Sequence, residues 1–426
     1  MTLALFIGVL LGTIALGFPI AFALLACGVA LMAQLGIFDA QILAQNLLEG
    51  ANSFPLLAVP FFMLAGELMN AGGLSRRIVE LALVFVGHVR GGLGYVVIVA
   101  AVIMAALSGS AVADAAALAS LLVPMMVAAG YDRARSGGLI AASAVIAPVI
   151  PPSIGLVLFG VAGNVSIAKL FLAGIVPGLL LALALWLVWG AQLRTQAAPV
   201  RPRASARERW RALREAVWAL GLPLIVIVGL KFGVFTPTEA AVVAAVYALA
   251  VSTLVYRELT WGRLYEVFLA AAKTTAVIMF LVAAAMVSGW LINVAQLPQQ
   301  VLALVEPLID SPRLLVAVIM LLVIAIGMAM DMTPTILILT PVLMPVIKAA
   351  GVDPVYFGVL FVINCSIGLI TPPVGTVLNT VAGVGRIPLE ALARGALPFV
   401  VAQLAVLFLL VAFPPIVTVP LAWLTS

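Results

Sequence analysis

The chain has 426 residues, of which 65% are hydrophobic and only 9% charged. A soluble domain carries roughly a quarter charged residues, so this chain lacks the polar surface to coat one or two soluble domains and reads as a polytopic membrane protein. One histidine and two cysteines, Cys27 and Cys365, each inside an apolar run, exclude a Cys/His metal cluster and a disulfide scaffold. Neither a P-loop nor a GxGxxG fingerprint is present.

The net charge of +5 is concentrated in one place. Residues 193–216 hold Arg194, Arg201, Arg203, Arg207, Arg209, Arg211 and Arg214 against Glu208 and Glu215, so this stretch alone carries +5 and the remainder is neutral. Set between apolar runs, it reads as a cytoplasmic loop and not as a nucleic-acid contact. The first apolar run, 2–35, has no charged segment before it and exceeds the length of a signal peptide, so it is expected as a retained helix.

In chain order, the apolar runs predict spans at 2–35, 53–71, 135–163, 165–192, 217–234, 237–256, 275–295, 354–380 and 397–425. Two further stretches, 91–130 and 313–350, are too long for one span. Each is interrupted by a polar knot: Ser108-Gly109-Ser110 in the first and Met330-Asp331-Met332-Thr333-Pro334 in the second. They are expected as re-entrant hairpins, because non-helical backbone at membrane depth survives only in protein or against a cavity. Segments 75–90, which contains His88, and 257–274 mix bases with apolar residues and read as interfacial helices. A solvated side chain is the ordinary reading of such a histidine.

With 193–216 in the cytoplasm, the trace puts the N-terminus inside and the C-terminus outside. It then places 17 basic residues inside and 4 outside, as the positive-inside rule requires. An internal repeat runs through the same segments. At an offset of 221, Pro124 matches Pro345, Asp132 matches Asp353, Gly137 matches Gly358 and Pro151-Pro152 matches Pro372-Pro373. A one-residue slip to 220 then matches Val161-Ala162-Gly163 with Val381-Ala382-Gly383. The matched spans run in opposite directions on this trace. The chain thus divides into a first repeat (1–192, with broken span 135–163), the Arg-rich loop (193–216), and an extra span plus an inverted second repeat (217–426, with broken span 354–380). Inverted repeats with broken helices mark secondary transporters.

The chemistry is expected where tips meet breaks. A Pro-Pro inside a span frees carbonyls, and a following glycine permits close backbone approach. Free carbonyls with Ser and Thr hydroxyls are hard oxygen ligands for an alkali cation. One site is expected among Ser108, Gly109, Ser110, Pro151 and Gly155, the other among Asp331, Thr333, Thr371, Pro373 and Gly375. Asp114 and Asp331 are intramembrane carboxylates and therefore functional candidates. Asp114 has a second reading, as a carboxylate complementing the dipole of its half-helix. Asn164 and Asn379 follow the breaks, either satisfying freed backbone groups or touching substrate. No Lys or Arg lies at midplane in either repeat, so an anionic substrate would rely on helix dipoles and bound cations.

The segments SGSAVADAAALASLLVPMM, APVIPPSIG, GMAMDMTPTILILTPVLMPV and IGLITPPVGTVLNTVAG resemble the large membrane subunit of the tripartite ATP-independent periplasmic (TRAP) transporters. The resemblance covers nearly the whole chain. It implies an all-α, elevator-type secondary transporter of the bacterial inner membrane, driven by a sodium gradient and using no cofactor beyond Na+ as coupling ion. It further implies a separate small four-helix membrane subunit and a periplasmic substrate-binding protein that delivers a carboxylate, such as a C4-dicarboxylate or sialic acid. Because the chain opens directly on the large subunit, the small one is expected as a second polypeptide. The family's cation sites, carried residue by residue, fall on the same tips and PPxG segments. The competing reading is a stand-alone proton- or sodium-coupled anion carrier of related fold. An intramembrane enzyme is disfavoured, since no nucleophile–base pair stands out.

Overall fold

The computed structural model describes residues 2–193 and 202–425; among them the chain is helical, with no strand. It begins with α1 (Thr2–Ala15), α2 (Ile20–Leu35) and α3 (Ala40–Ala51). A 3-10 turn (Phe54–Leu57) then leads into α4 (Ala58–Ala71), followed by α5 (Leu74–Val86). The first hairpin is α6 (Gly92–Ser108) and α7 (Ala111–Ala128), the first broken helix α8 (Arg133–Ala144) and α9 (Ile154–Gly163), and α10 (Ile167–Gln192) closes the repeat. Next come α11 (Ala206–Lys231), α12 (Pro237–Ala250) with a π-helical turn (Val251–Val255), α13 (Trp261–Val294) and α14 (Leu297–Ile309). The second hairpin is α15 (Pro312–Gly327) and α16 (Met332–Ala349), the second broken helix α17 (Pro354–Gly368) and α18 (Thr376–Gly385), before α19 (Leu389–Ala412) and α20 (Pro415–Thr425).

Eight of the described helical segments are long and apolar enough to cross a membrane. Many large apolar side chains remain exposed, among them Leu16, Leu304, Trp261 and Trp423, as a lipid-facing surface requires.

The helix ends make the duplication explicit. Bounds of α7 and α16 differ by 221 at both ends, and α8 and α17 start 221 apart, on the caps Asp132 and Asp353. Each of these carboxylates accepts from the backbone N–H three residues on, which ends the preceding turn and starts the helix. After the breaks the offset is 222: α9 and α18 end on Gly163 and Gly385, followed by Asn164 and Arg386, both in the left-handed region. The slip therefore runs opposite to the one expected from Val161-Ala162-Gly163. Apolar low-complexity sequence gives chance matches, whereas caps and left-handed ends pin the register. The extra residue is Val374, between Pro373 and the α18 cap Gly375; in the first repeat Ser153 caps α9 directly after Pro152.

The repeats interlock. Hairpin arm α7 packs on α18 of the other repeat, and α16 packs on α9. Helices α8 and α17 are almost entirely buried. Where α9 meets α17, the Phe159 ring lies 6.2 Å from that of Phe357 and 5.8 Å from that of Phe361. Gly358 makes room there, since a Cβ on it would sit 2.3 Å from Phe159. A second group, α2, α3, α4, α12 and α13, packs mutually and touches the duplicated hairpins and broken helices through α4 on α6 and α13 on α16.

Several predicted boundaries move. The run 2–35 is two helices, broken at Gly17, with φ +84°, and Pro19. Segment 257–274 is not a separate helix: no proline interrupts 261–294, and it continues into the following span as 34-residue α13. The Arg-rich stretch is loop only in part. Ser205 and Glu208 form a reciprocal capping box that starts α11, carrying Arg207, Arg209, Arg211 and Arg214 on a helix, while Arg194 and Arg201 lie outside the described residues. Segment 75–90 does contain an amphipathic helix, α5, with Ile78, Val79 and Leu81 buried and Arg76 and Glu80 exposed.

Candidate functional site

At the first tip, α6 ends on Ser108 and the chain reverses through Gly109 at φ +61°. Only glycine fits there: a Cβ would lie 2.4 Å from the Pro152 carbonyl oxygen. The tip thus docks on the Pro-Pro break, with that carbonyl facing it. Ser110 caps α7, accepting from the Ala113 N–H at 3.4 Å, and its own N–H donates to Ser108 Oγ at 3.2 Å. Ser108 Oγ donates to Asp114 Oδ1 at 2.6 Å, while Asp114 Oδ2 is buried and has no hydrogen-bond partner. In the break, Ser153 Oγ donates to the Pro148 carbonyl and accepts from the Leu156 N–H at 3.1 Å. Ser108, Asp114 and Ser153 are 4%, 1% and 0% exposed, so this oxygen cluster is sealed.

The second tip repeats the device with different side chains. Asp331 caps α16, its Oδ1 accepting from Thr376 Oγ1 at 3.2 Å, and its carbonyl accepts from Thr335 Oγ1 at 2.7 Å. The break docks on the tip through the Val374 N–H, which donates to the Met328 carbonyl at 3.3 Å. Thr371 Oγ1 donates to the Ile367 carbonyl at 2.8 Å. Gly375, at φ +36°, caps α18 without a side chain, and Asn379 Nδ2 donates to the Val374 carbonyl at 2.7 Å. Asp331, Thr333 and Thr371 are half-buried, and Pro372, Pro373 and Val374 are exposed, so this cluster is open. The peptides Pro151-Pro152 and Pro372-Pro373 are both cis.

The structure brings Ser108, Gly109, Ser110, Pro151 and Asp114 together at the first tip and break, and Asp331, Thr371, Pro373, Gly375 and Asn379 at the second. Thr333 sits in the first turn of α16 beside them. Two residues are placed elsewhere. Gly155 faces the other repeat: a Cβ on it would lie 3.3 Å from Met332 Sδ and 3.2 Å from Val362. Asn164 is at the far end of α9, exposed, against the turn at Ser53–Pro55 and Thr236. It follows its break by a full helix, whereas Asn379 follows by one turn, and its structural counterpart is Arg386.

Three further groups belong to the site or border it. Ser153 was visible as the hydroxyl before α9, the signature of a helix cap. Thr376, partner of Asp331, was visible as a hydroxyl next to the second break's glycine. Glu67 lies inside α4, in the predicted span 53–71, and its charge in an apolar run was the available signal.

Duplicated broken helices with paired tip-and-break oxygen clusters define a polytopic helical membrane transporter. The chain has the fold of the YdaH transporter of Alcanivorax borkumensis, with a TM-score of 0.66 at 18% identity over 92% of this chain and 91% of that one. It belongs to the tripartite ATP-independent periplasmic transporter family, DctM component, whose model matches residues 7–416. It is 55% identical over 424 residues to the 2,3-diketo-L-gulonate TRAP transporter large permease protein YiaN of Escherichia coli, covering 100% of both chains. It is 41% identical to the sialic acid TRAP transporter large permease protein SiaM of Vibrio cholerae, over 95% of each chain. To the C4-dicarboxylate TRAP transporter large permease protein DctM of Pseudomonas aeruginosa it is 39% identical, over 88% of each. This is a family of transporter permease subunits, not of enzymes.

Proposed function

We propose that this chain is the large membrane subunit of a sodium-coupled importer of an organic acid, working in the bacterial inner membrane with a small four-helix membrane subunit and a periplasmic binding protein. The observation that carries sodium coupling is the doubled oxygen cluster. Ser108, Ser110, Asp114 and the Pro152 carbonyl form one site; Asp331, Thr333, Thr371, Thr376 and Asn379 surround the other. Buried carboxylate oxygen without a partner, beside hydroxyls and a carbonyl, is the donor set a hard cation takes. Both sites lie on the interlocked repeats, and the second helix group forms the frame against which those repeats move as an elevator. The relatives named for 2,3-diketo-L-gulonate, sialic acid and C4-dicarboxylates support a carboxylate as the substrate class. The N-terminus and the Arg-rich stretch face the cytoplasm, as the charge distribution favours.

The test is uptake of these three acids into proteoliposomes holding the chain and its small subunit, with the binding protein outside. Uptake of one of them driven by an inward sodium gradient is expected, and none with a proton gradient alone. Uptake by the chain without binding protein or small subunit supports the stand-alone carrier instead.

A further inference from the structure

A cavity of about 550 Å3 separates the frame from hairpin arm α7, below the first tip. Its α7 wall is small and smooth, with Ala113 and Ala117 facing it, and its frame wall carries Glu67. Glu67 is half-buried in an apolar helix and, among the described residues, has neither a hydrogen bond nor an ion pair. A carboxylate within an apolar helix is a functional candidate by default. Arg76 and Arg263 also line the cavity, but neither forms an ion pair with Glu67. Arg76 is held by Glu258 at 2.9 Å and Glu80 at 3.9 Å, and Glu258 is also bound by Arg77 at 2.8 Å. Arg263 is exposed in the first turn of α13.

The cavity lies against the first cation site. Gly66, adjacent to Glu67, packs on Ser108: a Cβ on it would be 3.6 Å from the Ser108 Cα and carbonyl oxygen. Ser108 holds Asp114, and Ala113 precedes Asp114. The sealed oxygen cluster and the cavity are therefore one helix turn apart along α7.

The geometry points to a cation station: Glu67 receives a partly hydrated monovalent cation in this cavity as it passes between the first-tip site and water. This rests on the sodium-coupled reading of that tip. The charges of Arg76, Arg77, Glu80 and Glu258 cancel among themselves and Arg263 is exposed to water, so the Glu67 carboxylate raises the local cation concentration and speeds entry and exit without adding a tight site that would trap the ion. A station on the frame, not on the moving repeats, stays with its cavity while the hairpin slides past.

The test uses the full chain with Cys27 and Cys365, both buried, replaced by alanine and a single cysteine introduced by Ala117→Cys or Ser120→Cys. Rates of modification by a cationic and an anionic methanethiosulfonate reagent are compared, each divided by that reagent's rate with a free thiol in solution. With Glu67 intact, the cationic reagent should react about tenfold faster, and sodium, but not choline, should slow it. Glu67→Gln should abolish both effects and Glu67→Asp should keep them. Faster reaction of the anionic reagent overturns the proposal and makes the cavity a vestibule for the substrate carboxylate on Arg76 and Arg263. Equal rates, a preference that survives Glu67→Gln, or no reaction at either cysteine also overturn it. Sodium-independent uptake by the unaltered chain is the separate failure of the coupling itself.

Discussion

The two breaks share a backbone plan and differ in what surrounds it. In the first, a glycine reversal presses on the Pro152 carbonyl, Ser153 caps the outgoing helix, and the cluster is closed. In the second, Val374 is inserted, the cap is the bare glycine Gly375, and the segment 372–374 is exposed. The carboxylate has also changed place. The first repeat has Ser110 at the helix cap and Asp114 one turn in; at the offset of 221 the second has Asp331 at the cap and Thr335 one turn in. At these two matched positions each tip keeps one carboxylate and one hydroxyl, in opposite order. Duplication has preserved the oxygen inventory while letting one cluster be sealed and the other stay open.

The largest expected difference between the repeats lies at the tips. Gly109→Ala forces alanine into the left-handed region, at about 1–2 kcal/mol, and drives a methyl to 2.4 Å from the Pro152 oxygen. It should undock the tip and reduce sodium-driven uptake at least about a hundredfold. Its counterpart Met330→Ala should transport within about threefold of the unaltered protein. Equal loss in the two would mean that tip docking matters alike in both repeats.

The carboxylates come next. Asp114→Asn should raise the sodium concentration for half-maximal uptake by about tenfold or more, since one charged ligand contributes about 1.5–3 kcal/mol. In sodium-free buffer the same variant should unfold at an equal or higher temperature, because a buried unpaired charge is removed. Asp331→Asn, at an open site, should shift sodium dependence less and leave sodium-free stability unchanged. A sodium-free destabilisation by Asp114→Asn would make that residue a structural cap partner and no ligand.

The break glycines should separate as well. Gly375→Ala, at φ +36°, is expected to lower stability by about 1 kcal/mol. Gly155→Ala meets only side-chain atoms of Val362 and Met332; flexible Met332 can yield, so the change should stay within about 0.5 kcal/mol by thermal unfolding. Smallest of all, Thr376→Val removes one half-exposed hydrogen bond of 3.2 Å. It should raise the half-maximal sodium concentration two- to fivefold, about 0.5–1 kcal/mol.

How far the sequence reaches depends on the kind of signal. Tips and breaks were legible because Pro-Pro, Gly and Ser clusters inside apolar runs cannot continue a helix, whatever the tertiary context. The register past the breaks was not, because it depends on Val374, an inserted apolar residue among apolar residues, and only caps and left-handed ends reveal it. Helix α13 was split because a change in polarity was read as an end, although no residue in 261–294 breaks the helix. Depth cannot be read from type: Ser108 and Thr371 are both tip-or-break hydroxyls, and only packing makes one sealed and the other half-open.

The central claim, two unequal cation sites related by the repeat, is tested most directly by equilibrium binding of radioactive sodium to the purified full chain and its variants Asp114→Asn and Asp331→Asn. The account predicts saturable sodium binding in the unaltered chain. Each variant should lose one component, and only the component lost with Asp331→Asn should exchange rapidly. Absence of saturable sodium binding, or variants that both bind as the unaltered chain does, would contradict it.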